Sequence, residues 1–361
     1  MKTCSRIALA GMLAIAAFWV FAAAVAQESS WTESTLKFQP AAKGDFPYFT
    51  MREEQVGELC HDRNEYYVPI PVKKKLGVMG TSDTKILTLD CDHDYKEETK
   101  ISGQGGLATA KLIYEDDTVS TYTMKIIRGA GTSGVSWQFL RHCWMAGKVA
   151  NLPFALIDDS NNGKYDDYGQ DSFVVGDSKY ATPLGKVASL GGQLFNLEAK
   201  EHGTSVKTKP YEGKTGYLDM SSQYKCVGKL MVAIVQCGQN FFDASGKDPL
   251  LVPVGSYSFL WGVISNGKQS AVIQPGKMVA IEVKEGETTK VAWGMPVRLE
   301  IDAVVSAGML RIGPANVKAF GTANEEYVTF KPRPLLPQLE VQGSTGSTIG
   351  RGAVAEATDG C

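Results

Sequence analysis

The sequence has no excess of positive charge. Its 37 Lys and Arg residues are balanced by 39 Asp and Glu residues, which gives a formal net charge of −2. A basic field that recruits nucleic acid or an anionic membrane is therefore missing, and we expect no nucleic-acid partner. Proline is modest at 15 residues and glycine frequent at 38, which excludes a proline-rich linker protein and suits a β protein with many turns. Hydrophobic residues at 43% and charged residues at 21% exclude overall disorder.

Long hydrophobic runs are also missing, except at the N-terminus. Residues 7–25 form an apolar run that follows two basic residues and ends in Ala24-Val25-Ala26. This arrangement is typical of a cleaved secretory signal peptide. We therefore predict a signal peptide over residues 1–26, export to the periplasm, cell surface or extracellular space, and no membrane span after cleavage. A retained membrane anchor is the alternative, because the apolar run is long.

Cysteine motifs of the CxxC type are absent. Six cysteines remain after signal cleavage, and export places them under oxidising conditions that favour disulfides. Cys226 and Cys237 lie at the two ends of one predicted strand, so they are too far apart to bridge unless that segment bends back. Cys60 with Cys91 is the preferred pairing, and the other pairings stay open.

Helical periodicity is scarce beyond the signal segment. Short runs that alternate apolar and polar residues recur along the chain, and Asn266-Gly267 is a strong signal for a hairpin turn. The pattern predicts a mainly β protein with two β-sandwich-like domains. We expect an N-terminal segment over residues 27–63, a β domain over 64–200, a linker or long exposed loop over 201–225, a β-sandwich over 226–342 and a flexible tail over 343–361.

One loop concentrates acidic and amide side chains. Residues 158–171 read DDSNNGKYDDYGQD. In calcium loops, oxygen ligands occupy alternate positions from the first to the ninth, and a glycine at the sixth makes the sharp turn. Gly163 fits that turn. The ligand positions are filled by Asp158, Ser160, Asn162, Lys164 through its carbonyl oxygen, and Asp166, so we predict a Ca²⁺ site here.

The twelfth position departs from the calcium template, because Gly169 stands where a bidentate Glu is expected. Asp167 or Asp171 could supply the missing carboxylate from a different geometry. The alternative is an ordinary turn rich in Asn, Asp and Gly, without an ion. Because crowded carboxylates repel one another without a cation, calcium is the favoured interpretation.

Two stretches resemble known families. Residues 146–176, with a strand, the acidic Asn-Gly loop and a second strand, resemble the dockerin-type and EF-hand-like calcium loops of secreted bacterial proteins. The duplicated loop of a dockerin is missing, so cohesin binding is not implied. Residues 251–299 are similar to transthyretin-like or carboxypeptidase-regulatory-like β-sandwich modules, through residues 253–257 and 286–289. This resemblance implies an accessory, adhesive or structural role without catalytic residues.

No catalytic constellation stands out. Three histidines lie beside cysteines, at Cys60-His61, Cys91-x-His93 and His142-Cys143, a combination that suits zinc or copper. No metal-site spacing accompanies these pairs, and export favours disulfides between the cysteines, so we predict no zinc or copper site. We also assign no catalytic residue.

We therefore expect an exported, calcium-binding and non-catalytic structural or binding protein of the cell envelope or extracellular space, with an unidentified protein or glycan partner. One alternative is an enzyme, or an accessory domain of one, that processes envelope polysaccharide or peptide. The other is a carbohydrate-binding β-sandwich with exposed aromatic residues on one face, for which the candidates are Trp137, Trp144, Trp261 and Trp293.

Overall fold

The chain folds almost entirely into β-strands. The structure is a computed structural model that describes residues 30–41, 46–52, 57–62, 65–70, 73, 76–78, 86–94, 96, 98–103, 105–131, 134–306, 309–311, 316–332, 338–342 and 345–353. These residues contain no α-helix, so the predicted mainly β fold is confirmed. They also contain no helix long and apolar enough to cross a membrane. The predicted signal peptide over residues 1–26 lies outside the described residues.

The strands are short and follow one another closely. Strands of the first half are Thr32–Pro40 (β1), Gly57–Glu58 (β2), Cys60–Asp62 (β3), Glu65–Val68 (β4), Leu76–Val78 (β5), Ile86–Leu89 (β6), Thr99–Ser102 (β7), Gly105–Ile113 (β8), Val119–Gly131 (β9), Gly134–Arg141 (β10), Cys143–Val149 (β11), Leu152–Ile157 (β12), Ser172–Val175 (β13), Thr182–Pro183 (β14), Val187–Leu190 (β15), Gln193–Ala199 (β16) and Ser205–Pro210 (β17).

Strands of the second half are Thr215–Asp219 (β18), Tyr224–Lys225 (β19), Lys229–Cys237 (β20), Asn240–Asp243 (β21), Leu250–Pro253 (β22), Gly255–Asn266 (β23), Gln269–Gln274 (β24), Ile281–Val283 (β25), Thr288–Lys290 (β26), Trp293–Gly294 (β27), Arg298–Ile301 (β28), Val304–Ser306 (β29), Met309–Arg311 (β30), Val317–Phe320 (β31), Glu326–Lys331 (β32), Gln338–Gln342 (β33) and Thr348–Ala353 (β34).

An eight-stranded antiparallel sheet organises the first half, in the order β14-β13-β12-β11-β1-β17-β16-β15. Strand β1 lies inside this sheet, between β11 and β17. The sequence does not predict an inner strand here. Only Leu36 is fully buried on β1, so β1 lacks the alternation of apolar and polar residues that marks a strand. Gly147 lets β11 approach β1 closely, since a Cβ atom there would lie 2.6 Å from the Thr35 carbonyl oxygen.

The predicted linker over residues 201–225 is wrong for much of its length. It contains β17 and β18, and β17 pairs with both β1 and β16. Val206 and Thr208 are buried on this strand. The intervening lysines make the stretch look like an exposed loop in the sequence, although their alternation with Val and Thr is compatible with a half-buried strand.

A second antiparallel sheet, in the order β2-β10-β9-β8, packs around its own core. The long β8–β9 hairpin pairs from Gly105 with Ile127 to Ile113 with Val119. Alternate side chains of these strands are buried, as expected for a sheet with one face against a core. This core is where the acidic loop makes its inward contacts.

In the second half, the main sheet runs in the order β21-β20-β23-β24-β32-β31-β28. The predicted hairpin is confirmed, because β23 pairs with β24. Asn266 pairs with Gln269, so the turn is formed by Gly267, with a φ of 64°, and Lys268. Trp293 is 1% exposed, and its indole N–H donates to the Met220 carbonyl oxygen at 2.6 Å. The division of the chain into two sandwich domains stays a prediction.

The predicted flexible tail over residues 343–361 is partly wrong. Residues 348–353 form β34, which pairs with β33. Glycine is depleted in strands, and Gly350 and Gly352 lie within β34, so the sequence gives a weak strand signal here. Arg351 and Glu340 pair across the two strands and form an ion pair at 3.2 Å.

We expect Trp293→Ala to lower the free energy of unfolding by about 3–5 kcal/mol, because it leaves a large cavity in the core of the second half. Chemical denaturation measures this change. The matched control is Trp31→Ala, because Trp31 is 43% exposed, and a change there should stay within about 0.5 kcal/mol. Equal losses in the two variants would contradict the assignment of Trp293 to the core.

Candidate metal centre

The acidic loop joins two neighbouring strands. Because β12 and β13 pair directly, residues 158–171 close a hairpin whose ends are fixed by the sheet. Gly163 has a φ of 78°, a left-handed conformation that glycine tolerates best. A Cβ atom there would lie 2.5 Å from Ile70 Cγ2 and 2.9 Å from Leu112 Cδ1. The Gly163 turn therefore packs directly against the core of the neighbouring sheet.

Asp158, at the first template position, is fully buried. One carboxylate oxygen accepts hydrogen bonds from the Gly163 N–H and the Tyr122 hydroxyl, both at 2.7 Å. The other oxygen accepts the Ser160 hydroxyl at 3.1 Å and the Asn162 N–H at 3.2 Å. These donors wrap the first half of the loop around the carboxylate. Burial raises the pKa of Asp158, and the hydrogen bonds oppose that rise.

Asp171 brings a second carboxylate to the start of the loop. It is also fully buried. Its Oδ1 accepts the N–H groups of Asp159 at 3.2 Å and Ser160 at 3.4 Å, and its Oδ2 accepts the Asp167 N–H at 2.9 Å. Burial raises the pKa of Asp171 well above its usual range, and the nearby charge of Asp158 raises it further. The two carboxylates therefore oppose each other's ionisation.

Asp159 has a different partner. Its carboxylate forms an ion pair with the buried guanidinium of Arg141 and accepts the Ser172 hydroxyl at 2.8 Å. The backbone N–H of Arg141 also donates to the Asn161 amide oxygen at 2.6 Å. Sequence reasoning misses this cluster, because the template assigns no ligand to its second and fourth positions. Arg141 lies at the end of β10, where no sequence pattern links it to the loop.

Some of the remaining predicted ligands bond within the loop, and others interact with Glu201 outside it. The Asn162 side chain donates to the Asp167 carboxylate and accepts the Lys164 N–H at 2.8 Å. The Lys164 ammonium group forms an ion pair with Glu201 at 2.7 Å, so this side chain engages a group outside the loop. Asp166 is half-buried, and its pKa is raised by burial and then by the charges of Asp167 and Glu201. One hydrogen-bond network therefore connects Asp158, Ser160, Asn162, Asp167 and Asp171.

Buried negative charge exceeds buried positive charge at the loop. Asp158, Asp159 and Asp171 are at most 1% exposed, whereas Arg141 is the only buried Lys or Arg in the part of the chain that the structure describes. Arg141 forms its ion pair with Asp159. A buried carboxylate without a neighbouring cation stays charged only where hydrogen bonds stabilise it; otherwise it is protonated or binds a metal ion. Asp158 and Asp171 are the two groups to which this choice applies.

A second acidic group lies elsewhere in the first half. Ligand oxygens of its four side chains all lie within 4.8 Å of one another, so the group could hold a metal ion. Among the described residues, no other set of three or more His, Cys, Asp or Glu side chains is gathered as closely, and the loop at 158–171 does not form such a set. The four residues are Asp90, Asp92, Asp94 and Glu98.

This second group is more exposed than the loop. Asp90 is buried and accepts the His93 N–H at 2.7 Å, whereas the Asp92 carboxylate is partly exposed and forms an ion pair with Lys111 at 3.2 Å. Sequence reasoning misses the group, although the alternate spacing of Asp90, Asp92 and Asp94 is its signal. In the same stretch, the Cys91-x-His93 pair instead suggests a disulfide or a transition-metal site.

The predicted Cys60–Cys91 disulfide is not formed in the structure. Cys91 is a free, buried thiol with its Sγ 3.5 Å from Thr99 Oγ1. Burial raises the pKa of this thiol. Cys60 lies in the small sheet of β3, β4 and β5, and its side chain lies outside the described residues. Free thiols are also found at Cys143, Cys226 and Cys237.

Most tryptophans considered for an exposed aromatic face are core residues. Trp137 is 5% exposed and Trp293 is 1% exposed. Trp144 makes edge contacts with Phe46 and Tyr48, at ring-centroid distances of 5.8 and 5.5 Å. Packing within the protein therefore accounts for these three tryptophans.

Comparisons with known proteins give no relative. No family model matches the sequence, and no match was found among curated proteins or solved structures. The resemblances to calcium loops and to transthyretin-like modules therefore stay predictions, and the function is argued from the geometry of the chain.

The metal-free protein should lose stability as the pH rises. Because the pKa values of Asp158 and Asp171 are raised in the folded state, the folded protein binds more protons than the unfolded chain at pH values between the two pKa ranges. The free energy of unfolding should therefore fall as the pH rises from the ordinary aspartate pKa, about 3.9, towards the raised values. Denaturant unfolding in EGTA, repeated across this pH window, measures the effect.

Asp171→Asn is the matched variant for this measurement, because it removes one titrating group and keeps an acceptor oxygen. Its stability should fall less steeply with pH than that of the wild type. Parallel pH profiles of the two proteins would rule out a raised Asp171 pKa in the metal-free fold.

Gly163→Ala should destabilise the fold more than Gly176→Ala does. Both glycines have positive φ angles, but a Cβ atom at Gly176 would contact nothing within 4 Å. The left-handed conformation costs a non-glycine residue about 1–2 kcal/mol at either position. Only at Gly163 does the collision with Ile70 and Leu112 add to this cost. Thermal unfolding compares the variants, and equal losses would refute close packing of the Gly163 turn.

Proposed function

We propose that this chain is an exported, non-catalytic β protein in which a calcium ion bound by the acidic loop stabilises the fold. The observation that carries the proposal is the burial of Asp158 and Asp171 side by side, while the neighbouring Arg141 forms its ion pair with Asp159. A divalent cation offsets both charges at once and removes the cost of burying them.

The oxygen-rich composition of the loop favours calcium over softer metals. Calcium takes six to eight oxygen ligands in a flexible geometry, whereas zinc and copper prefer nitrogen and sulfur. Asp158, Asp171 and Asp167 offer carboxylates, and Ser160 and Asn162 offer a hydroxyl and an amide oxygen. In the structure the Ser160 hydroxyl already donates to the Asp158 carboxylate, and the Asn162 side chain donates to the Asp167 carboxylate. Binding would exchange these hydrogen bonds for metal contacts.

The backbone carbonyl of Lys164 and the carboxylate of Asp166 complete the proposed ligand set, as the calcium template places them. Asp166 remains half-buried next to Asp167 and Glu201, whose charges raise its pKa. A cation in the loop would lower that pKa. Asp166→Ala should therefore weaken calcium binding without removing a buried side chain.

The ion would act by linkage between binding and folding. Because the loop exists in its binding geometry only when β12 and β13 pair, calcium binds the folded state selectively. At roughly a hundredfold excess over the dissociation constant, such binding stabilises the fold by about 2.7 kcal/mol. The Gly163 turn transmits this stabilisation to the neighbouring sheet, because Tyr114 donates to the Gly163 carbonyl oxygen at 2.6 Å.

Calcium should raise the melting temperature by about 5–10 °C relative to EGTA. Ser160→Ala removes a proposed hydroxyl ligand and Asp171→Asn removes the charge of a proposed carboxylate ligand, both with little change in volume, and each should abolish most of this shift. Differential scanning calorimetry with and without calcium measures it, and isothermal titration calorimetry counts the ions.

Two control variants make the experiment specific. Asp248→Asn changes an exposed carboxylate away from the loop and should leave the calcium shift intact. Asp92→Asn tests the second acidic group and should also leave it intact. Equal melting temperatures with and without calcium would refute the proposal, and loss of the shift only in Asp92→Asn would move the ion to the second acidic group.

A further inference from the structure

A small cavity lies between the two halves of the chain. Its volume is about 140 Å³, and it is bounded by residues of β13, β14 and β15 on one side and of β21 and β22 on the other. Phe173 and Phe241 contribute apolar walls, and Ser178, Thr182 and Asp243 contribute polar groups. A cavity of about 150 Å³ holds a ring the size of benzene, and this cavity is partly open to solvent, so a larger ring would be enclosed in part and would extend beyond the mouth of the cavity.

Contacts between the two halves lie beside this cavity. The Val187 N–H donates to the Asn240 side-chain oxygen at 2.9 Å, and the Lys186 N–H donates to the Gln239 carbonyl at 3.3 Å. At Gly185, a Cβ atom would lie 3.1 Å from backbone atoms of residues 239–241. These contacts lie beside the cavity and tie together the two halves that border it.

Asp243 supplies an oriented acceptor at the cavity. Its Oδ1 accepts the N–H groups of Ala233 and Ser245, both at 3.0 Å. The residues that line the cavity, within the described chain, include no Lys, Arg or His. An anionic ligand such as a phosphate or a uronic acid would therefore meet a carboxylate and no cation, which disfavours its binding. A neutral ligand that donates hydrogen bonds fits this lining.

Aromatic side chains continue from the cavity towards the surface. Tyr180 lines the cavity and stacks on Phe49, with ring centroids 5.4 Å apart and an interplanar angle of 27°. The Trp261 ring lies 6.4 Å from Tyr180. Phe49 is 44% exposed, and its N–H donates to the Lys179 carbonyl at 2.7 Å. The aromatic row formed by Tyr180, Phe49 and Trp261 is thus held by a backbone hydrogen bond at Phe49 and is partly open to solvent.

We infer that this cavity binds one pyranose ring of a neutral saccharide. The ring's hydroxyl groups donate to Asp243 and exchange hydrogen bonds with Ser178 and Thr182, while its apolar C–H face packs on the aromatic walls. A sugar has both kinds of surface, whereas a purely apolar ring would make no hydrogen bond to Asp243, Ser178 or Thr182. Phe49 and Trp261 offer stacking surfaces for neighbouring sugar units.

This inference does not rest on the calcium proposal, because different residues and a different ligand carry it. Loss of saccharide binding would leave calcium-dependent stability untouched, and the reverse also holds. The two can therefore fail separately.

Saturation-transfer-difference NMR on the full mature chain, with calcium present, tests the inference. The ligands are the methyl pyranosides of glucose, galactose, mannose and N-acetylglucosamine, with cyclohexylmethanol as a ring of similar size that has a single hydroxyl. At least one pyranoside should bind, and cyclohexylmethanol should bind about tenfold more weakly or not at all. Trp261 fluorescence should change with the same ligand.

Two variants locate the binding. Asp243→Asn keeps the oxygen that accepts the Ala233 and Ser245 N–H groups, and it should weaken binding about tenfold. Tyr180→Ala should weaken it by a similar factor, with its fold checked by thermal unfolding. The control is Tyr217→Ala, an exposed tyrosine on β18, which should bind as the wild type does. Absence of binding by all four pyranosides, tighter binding of cyclohexylmethanol, or unchanged binding in both cavity variants would overturn the inference.

Discussion

The burial of negative charge in one hairpin loop is the constraint on which the first half of the molecule depends. Three carboxylates lie at most 1% exposed at residues 158, 159 and 171, and one guanidinium is buried with them. Burying a charge is costly unless the charge is paired, protonated or bound to a metal. The loop meets part of this cost with hydrogen bonds and part with the Arg141–Asp159 ion pair. The remaining imbalance is the basis of the proposed calcium site.

The same loop connects several elements of the fold. Asp159 reaches β10 through Arg141, and Arg141 in turn contacts Thr50 at 3.3 Å. Gly163 inserts its backbone against the core of the β8–β9 sheet. Gly169 N–H donates to the Leu184 carbonyl at 2.8 Å, next to the strands that border the cavity. An ion in this loop would therefore stabilise contacts between elements that are far apart in sequence, which is a larger effect than ordering one turn.

The sequence predicts features whose cause is local. Alternation predicts the mainly β fold, Asn266-Gly267 predicts a hairpin, and the spacing from Asp158 to Asp166 identifies a loop that closes a hairpin between two strands. Features that depend on partners far away in the sequence are not predicted. Strand β1 and the lysine-containing β17 are strands because of their neighbours in the sheet. Arg141 reaches Asp159 only through the fold, and the spacing of Cys60 and Cys91 in the sequence does not reveal that Cys91 is a buried free thiol.

Locating the ion directly is the most decisive measurement. A crystal grown with calcium, with anomalous diffraction data collected at long wavelength, should show a peak enclosed by oxygens of Asp158, Ser160, Asn162 and Asp171 at about 2.3–2.6 Å. The account would be contradicted by a calcium-soaked crystal in which the Asp158 and Asp171 carboxylates share a proton and no peak lies between them. A peak found only beside Asp90 and Asp92 would contradict it equally.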